Sequence, residues 1–378
     1  MPSADLALLT IVDAMDSPAL FRPWFDGPSW DGWRAVLKAA YALPMSAAEI
    51  DFFRSVAGRD PPKRPVKEMW FVVGRGGGKD SIASLIIAHT AMLFDRKCSA
   101  LRPGERALVG CIAVDREQAA IIKGYVRSFF HDCLPLREMV ENDTADGLRL
   151  SNCVDVSILT NSYRSIRGRS MLGCVLDECA FYRDENSVSP DEETYRAIRP
   201  SLARVPGSVV IGISSPYRKS GLLYRKFTKH FGKNDDDVLV IRAASKMLNP
   251  TLDDAEIERD LADDYAAARA EWFAEWRDDV AGWMPLEIIE AARDGGVTVR
   301  PPHLNSSKRI FYRSGCDPSG GQKDSFTCAI AHDEDGVSIL DCVVEIKAPF
   351  DPSVATKQIA HVLKSYGLHS TTGDKYAA

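Results

Sequence analysis

A glycine-rich segment between an apolar strand-like run and a helical run is the feature that most constrains the fold. The segment is Gly74-Arg75-Gly76-Gly77-Gly78-Lys79-Asp80-Ser81, and it directly follows the apolar run Met69 to Val73. Glycines allow successive backbone N–H groups to converge on phosphate oxygens, and the N-terminus of the next helix adds the positive end of its dipole. Lys79 supplies a mobile cation for the same oxygens. The segment therefore predicts an α/β fold with a phosphate-binding loop.

Two positions of this loop depart from the usual pattern. Val73 stands where the first glycine is normally found, and Asp80 stands where a serine or threonine normally ligates Mg²⁺. Asp80 could ligate the metal itself, or Ser81 could do so after a small shift of the loop. The alternative interpretation is a glycine-rich turn that binds no nucleotide, and a second motif weighs against it.

The second motif is an apolar strand, Cys174-Val175-Leu176, that ends in the adjacent carboxylates of Asp177 and Glu178. An aspartate at a strand end can hold Mg²⁺ through water, and a neighbouring glutamate can polarise the attacking water as a general base. The order of the two motifs, with a strand and a helix between them, indicates one shared site. We therefore predict that ATP and Mg²⁺ bind where the loop and the two carboxylates meet.

Two further groups are candidates for the same site. Ser214 and Ser215 end the run Ile211-Gly212-Ile213, and hydroxyls in that position can sense the γ-phosphate, although an ordinary strand-ending turn explains them equally well. Arg75 is the nearest cation after Lys79 for the charge that develops on the γ-phosphate. An arginine from a neighbouring subunit would do the same work.

Short apolar runs alternate with helical patterns from Glu68 to Ser215, which indicates a mainly parallel sheet with crossover helices. The strand that intervenes in sequence between the two motifs matches the additional-strand class of P-loop ATPases. The predicted strands are Met69 to Val73, Ala107 to Val114, Val154 to Leu159, Gly173 to Leu176 and Ser208 to Ile213.

Turn-forming clusters and changes of pattern divide the chain into four blocks. A charged helical stretch follows the sheet region, and its tryptophans are interpreted as packing anchors. Three strand-like runs and a helix come next: Ile310 to Cys316, Phe326 to His332, Val337 to Ile346 and Ser353 to Tyr366. The predicted domains are a lead-in over 1–65, an ATPase domain over 66–250, a helical linker or lid over 251–305, and a final domain over 306–378.

Composition narrows the possible classes of protein. The 378 residues are 45% hydrophobic, yet no apolar stretch is long enough for a membrane span and no secretory leader is evident, so we expect an intracellular protein. Nine scattered cysteines without a Cys-x-x-Cys pair indicate neither a disulfide framework nor a zinc site. The net charge of −6 means that any DNA surface must be local. The candidate basic runs, which are otherwise solvated loops, are Tyr163 to Arg169 and Tyr217 to Lys226.

In their order and spacing these elements resemble the ATPase domain of a large terminase subunit, the motor and nuclease that packages the genomes of tailed phages. The resemblance covers about residues 40 to 378 and includes an arginine before the loop glycines, at Arg75. The adenine-side glutamine of many relatives has no equivalent between Tyr41 and Arg64, which leaves open how the base is held. Other similar segments are Leu43-Pro44, Asp115 to Ala119, Arg167 to Arg169 and Ser214 to Pro216.

The resemblance also implies the start of a ribonuclease-H-like nuclease domain. Asp317 ends a strand in the segment Gly315 to Asp324, and Asp374 in Thr372-Gly373-Asp374 is the matching second carboxylate. Such sites hold two Mg²⁺ or Mn²⁺ ions between about three carboxylates. A third carboxylate would lie beyond Ala378, so we expect this chain to be negative in a nuclease assay. An Asp-Pro turn without metal is the alternative for Asp317, and a solvated residue is the alternative for Asp374.

The partners that the resemblance implies are double-stranded DNA, a small terminase subunit, a portal ring and further copies of the chain in a ring, all in the cytoplasm of the bacterial host. Two alternatives stay open. The first is a P-loop helicase, because Leu176-Asp177-Glu178-Cys179-Ala180 also resembles a helicase acidic box. The second is a non-catalytic, prophage-derived DNA-binding scaffold, in which Asp80 marks a degraded nucleotide site.

Overall fold

The structure, a computed structural model, describes residues 9–95, 101–113, 116–144, 147–160, 168–182, 190–277, 292–303, 310–322 and 325–373. The chain divides into two compact units, Met1–Gly282 and Trp283–Ala378. Across these ranges, no helix is long and apolar enough to cross a membrane.

From residue 9 onwards, four α-helices precede the first strand, and local signals fix where two of them begin. Thr10 caps the first helix through the backbone N–H of Asp13, and Asp13 bonds back to the Thr10 backbone. The predicted capping box of Ser46 and Glu49 is confirmed, with Ser46 accepting from the Glu49 N–H. The helices are α1 (Ile11–Asp16), α2 (Arg22–Phe25), α3 (Asp31–Ala40) and α4 (Ala47–Ala57).

The first unit contains an eight-stranded sheet in the spatial order β3-β4-β5-β2-β6-β7-β1-β8. The six strands from β5 to β8 in that order pair in parallel, whereas β3 and β4 pair antiparallel. A mixed α/β fold with a central, mainly parallel sheet is therefore confirmed. The strands are β1 (Glu68–Val73), β2 (Ala107–Ala113), β3 (Val140–Thr144), β4 (Gly147–Leu150), β5 (Val154–Thr160), β6 (Ser170–Asp177), β7 (Val209–Ser214) and β8 (Val238–Ala243).

Helices connect these strands and extend beyond them. α5 begins at the end of the glycine-rich loop, and α10 to α12 follow β8. They are α5 (Lys79–Leu93), α6 (Arg116–Asp132), α7 (Leu134–Arg137), α8 (Pro190–Leu202), α9 (Gly221–His230), α10 (Ser245–Leu248), α11 (Asp254–Asp263) and α12 (Tyr265–Phe273).

Side chains of β1 alternate between the two faces of the sheet, and each face is buried. Met69, Phe71 and Val73 belong to one apolar core, whereas Trp70 and Val72 belong to the other. A parallel sheet needs both faces covered because its crossover helices lie on either side. This double burial explains why the central strands read as continuous apolar runs.

The structure contains three strands that the sequence analysis did not predict. β3 is too polar and exposed to give an apolar pattern, and β3 and β4 are not among the predicted strands. β8 is also absent from the prediction, although its apolar residues are the usual signal of a buried strand. The predicted strand Ala107 to Val114 lies on the far side of β6, and β7 is the strand between β1 and β6.

The second unit has a four-stranded sheet in the order β11-β10-β9-β12 and one long helix. β9, β10 and β11 pair antiparallel, and β12 pairs with β9 in parallel. The three predicted strands and the predicted helix are present, with no end shifted by more than two residues. The elements are β9 (Tyr312–Asp317), β10 (Phe326–Glu334), β11 (Val337–Ile346), α13 (Pro352–Ser365) and β12 (Thr372–Gly373).

Candidate functional site

The glycine-rich loop connects the end of β1 to the start of α5. Gly76 has a φ of 71° and Gly78 has a φ of 83°, both in the left-handed region that favours glycine. Gly78 is also the N-cap residue of α5, so the loop runs directly into the positive end of that helix. The loop therefore joins a strand to a helix N-terminus, the arrangement of elements that the sequence predicts here.

Close packing explains the first glycine of the loop. A Cβ atom on Gly74 would lie 2.3 Å from the Ser245 hydroxyl oxygen and 2.7 Å from the Glu271 carbonyl oxygen. A Cβ atom on Gly77 would lie 2.6 Å from a methyl carbon of Val73. Neither position has room for a side chain, so the glycines bring the loop against α10 and α12 as well as supplying flexibility.

Residues far away in sequence hold the backbone of the loop. The indole N–H of Trp33 on α3 donates to the Gly77 carbonyl at 2.7 Å, and the Asn249 side chain donates to the Gly76 carbonyl at 2.9 Å. The Arg75 N–H donates to the Glu271 carbonyl at 2.5 Å. Within the loop itself, the Gly77 N–H donates to the Gly74 carbonyl at 3.2 Å. The contacts of Trp33 and Asn249 with the loop were not predicted, because no local sequence pattern marks a residue that supports a distant loop.

Lys79, Glu178 and Ser214 meet at the carboxyl ends of adjacent strands. The Lys79 ammonium lies 2.9 Å from one carboxylate oxygen of Glu178, and the Ser214 hydroxyl donates to the other at 2.7 Å. Glu178 has a φ of 46°, a left-handed conformation that is uncommon outside glycine and that occurs at functional sites. The three predicted groups therefore form one connected cluster.

The surroundings of Asp177 shift the pKa of its carboxyl group. Burial raises the pKa of Asp177 to about 8, and the neighbouring carboxylates of Asp80 and Glu178 add to the effect. Burial also raises the pKa of Asp80. Burial alone would lower the pKa of Lys79, but Glu178, Asp80 and Asp177 outweigh it and hold that pKa above its ordinary value. Three carboxylates thus share a single ammonium group.

This excess of negative charge fits a divalent cation. Asp177 is 4% exposed, and its Oδ1 atom is buried without a hydrogen-bond partner. No set of three or more metal-ligand side chains converges on one point within the described ranges. Mg²⁺ is commonly held by one or two carboxylates together with waters and phosphate oxygens, so the residues present fit a metal that arrives with a nucleotide. Asp177 and Asp80 are the candidate protein ligands.

The other predicted residues of the site lie around this cluster. Ser215 is buried beside Ser214 at the end of β7, and Ser81 is half-buried in the first turn of α5. The Arg75 side chain is 75% exposed, and its guanidinium lies 3.8 Å from the Glu271 carboxylate. Arg75 therefore pairs with α12.

In the second unit, only one of the two predicted nuclease carboxylates can be placed. Asp317 is exposed at the end of β9, opposite Thr327 in the antiparallel register. Asp374 lies outside the described residues. The structure therefore places the first carboxylate at a strand end, as predicted, without testing the pair.

One of the predicted basic runs contains a residue that cannot face DNA. Lys226 is 8% exposed and forms an ion pair with Glu68, so its inclusion in the exposed run is wrong. Arg225 is more accessible, but it pairs with Glu192 at 2.7 Å. Arg169 is exposed, whereas residues 163–167 lie outside the described ranges.

Comparison with known proteins gives a fold and no sequence family. No protein-family model matches the chain, and no curated protein matches it. The crystal structure of the large terminase of bacteriophage HK97 aligns with a TM-score of 0.51 and 16% identity, over 91% of this chain and 74% of that one. The two proteins share a fold.

A large terminase ATPase domain from the Thermus phage P74-26 is also similar. It aligns with a TM-score of 0.43 and 21% identity, over 60% of this chain and 97% of that domain. Because this TM-score is below 0.5, the alignment does not extend the conclusion drawn from the HK97 large terminase.

Proposed function

We propose that this chain is the large terminase subunit of a tailed phage, a motor that hydrolyses ATP to move double-stranded DNA into a procapsid. One observation carries the proposal: Lys79 and Ser214 both bind the carboxylate of Glu178, beside a glycine-rich loop and next to the buried Asp177, whose Oδ1 atom has no hydrogen-bond partner. The shared fold with the HK97 large terminase supports it.

The residues divide the chemistry between them. Backbone N–H groups of the loop and the Lys79 ammonium bind the β and γ phosphates, which leaves Glu178 to orient and deprotonate water. Asp177 would hold Mg²⁺, with Asp80 or Ser81 as the second protein group. When bound, such a metal would supply positive charge next to the phosphate oxygens. Arg75, or an arginine from another subunit, adds a further cation.

Ser214 connects hydrolysis to the rest of the first unit. Its hydroxyl bonds to Glu178, and the chain leaves β7 at this residue and enters α9 a few residues later. Loss of the γ-phosphate changes what Glu178 and Ser214 bind, and β7 transmits that change towards α9. By its resemblance to terminases, the chain acts as a ring of copies with a small terminase subunit and a portal ring, in the bacterial cytoplasm.

We also propose that the second unit belongs to a ribonuclease-H-like nuclease domain. Asp317 at the end of β9 would ligate Mg²⁺ or Mn²⁺ in a ribonuclease-H-like endonuclease, with Asp374 as its partner. The support is the strand order, in which β9 lies between β10 and β12. Asp374 follows β12 directly in the sequence.

The proposed function is tested by ATP hydrolysis in the presence of Mg²⁺ and double-stranded DNA. We expect Lys79→Ala to lower turnover at least about a hundredfold, because the cation that binds the transferred phosphate is lost. Lys67→Ala is the matched control, since Lys67 is exposed and pairs with Asp237 outside the site. Equal inactivity of the unmodified protein and both variants, with DNA and partners supplied, would favour the scaffold alternative.

A further inference from the structure

We infer that Trp30 forms a stacking platform for the base of the nucleotide. The inference rests on the proposed function, because it concerns the same nucleotide, and it names the group that the sequence leaves unassigned. Trp30 lies in a short 3-10 helix, Pro28–Trp30, immediately before α3.

A cleft opens directly beside the phosphate-binding loop. It has a volume of about 210 Å³, which is smaller than the usual whole small-molecule site and therefore suits one part of a nucleotide. Its walls come from the loop, from the segment before α3 and from the segment after β8. The lining residues are Ser29, Trp30, Gly77, Gly78, Leu248, Asn249 and Thr251.

The chemistry of these walls suits a base better than a phosphate. No charged side chain lines the cleft, and its two large apolar groups are the indole of Trp30 and the buried side chain of Leu248. Asn249 directs its amide group to Gly76 and its oxygen to Thr251, so it shapes the cleft as a fixed element. An uncharged, flat, aromatic group is the occupant that fits.

The Trp30 ring is held in place. It packs edge-to-face on Phe25, with ring centroids 4.9 Å apart. A Cβ atom on Gly78 would lie 3.0 Å from the six-membered ring of Trp30, so the indole touches the loop itself. Because the ring is fixed against the loop, a base that reaches it is connected to phosphates bound by the loop and Lys79.

Because the cleft is continuous with the loop, we assign a single nucleotide to both. Gly77 and Gly78 belong both to the proposed phosphate site and to the wall of the cleft, so one nucleotide can fill both spaces. Base stacking on an aromatic side chain also tolerates the absence of a base-reading glutamine. Trp30 is therefore the group that we assign to the base.

The test compares two ligands with two tryptophan variants of the full chain. ATP and inorganic tripolyphosphate are titrated calorimetrically with Mg²⁺ into the unmodified protein, Trp30→Leu and Trp24→Leu. Trp24 is the matched control because it packs on Phe129, outside the cleft. We expect Trp30→Leu to weaken ATP binding about tenfold and to leave tripolyphosphate binding unchanged, because only ATP carries a base. Trp24→Leu should change neither affinity.

The other outcomes overturn the inference in distinguishable ways. Equal weakening of both ligands by Trp30→Leu would show that the indole supports the loop and not a base. Unchanged ATP binding in that variant would show that the base lies elsewhere, with the ATPase proposal intact. An unmodified protein that binds neither ligand would overturn the proposed function together with the inference. Circular dichroism establishes that each variant is folded.

Discussion

At the scale of single residues, Asp177 has a pKa far from the ordinary value of an aspartate. Its carboxyl group is buried, faces Asp80 and Glu178, and has a pKa raised from 3.8 to about 8. A group whose pKa is higher in the folded state binds its proton more tightly there. Its contribution to stability is therefore complete below about pH 4 and is lost as the pH rises through about 8.

This sign gives a prediction for Asp177→Asn without divalent cations. The unmodified protein loses stability between pH 4 and 8, and the variant does not. The unfolding free energy of the variant should therefore exceed that of the unmodified protein by an amount that grows with pH to roughly 1–3 kcal/mol at pH 8. Urea unfolding at pH 5 and pH 8 measures it. A variant that is less stable than the unmodified protein at pH 8 would show that Asp177 is not strained. Mg²⁺ with ATP should stabilise only the unmodified protein.

The charged residues of the proposed site could be predicted from the sequence, but the residues that support them could not. Lys79, Asp177, Glu178 and Ser214 each end a strand or begin a helix, and parallel strands bring such ends to one edge of a sheet. Motif order was therefore enough to predict that they meet. Trp33 reaches the loop over 44 positions of sequence, and only the folded chain shows that contact.

At the scale of elements, the contact between β1 and β7 depends on a missing side chain. A Cβ atom on Gly212 would lie 2.2 Å from the ring of Trp70 on the neighbouring strand. We expect Gly212→Ala to destabilise the protein by about 1–3 kcal/mol, because over-packing forces the indole out of its position. Urea unfolding midpoints give the comparison.

Gly173→Ala is the control for that prediction. Gly173 lies in β6, the other neighbour of β7, and the nearest atom to its added Cβ would be 3.5 Å away, an ordinary contact. The control should lose clearly less stability than Gly212→Ala. Similar losses for both variants would mean that any side chain on a central glycine is costly, whatever the position of Trp70.

A buried ion pair joins β1 to α9. Lys226 lies beside the Glu68 carboxylate, which also accepts hydrogen bonds from Tyr195 at 2.6 Å and Trp70 at 3.2 Å. Glu68→Gln leaves a buried ammonium without its countercharge, so we expect a loss of about 3–5 kcal/mol in unfolding free energy. Glu68→Gln with Lys226→Met should lose less than the sum of the single changes. Additive losses would contradict a coupled pair.

The elements themselves were largely predictable, with two physical exceptions. Buried strands such as β2 and β6 are continuous apolar runs, and helices such as α4 begin at recognisable caps. The β3–β4 hairpin is short and partly exposed, so its sequence carries little pattern. The pairing of β7 with β6 agrees with the prediction, whereas its pairing with β1 was the other exception, because strand patterns do not name a second neighbour.

At the scale of the whole molecule, all described residues of the proposed ATP site lie in the first unit, Met1–Gly282. This unit has its own extensive cores on both faces of the sheet. We expect a chain of residues 1–282 to fold cooperatively and to bind ATP with the affinity of the full chain. Calorimetric titration tests this. A fragment that folds but fails to bind ATP would show that the second unit completes the site.

The central claim is that Glu178 activates water in an ATP site formed by the loop and β6. The most direct measurement separates binding from turnover in Glu178→Gln, which keeps the shape of the side chain and removes its charge. We predict that MgATP binding changes less than about threefold, while turnover with double-stranded DNA falls at least about a hundredfold. Turnover within about threefold of the unmodified protein would contradict the claim.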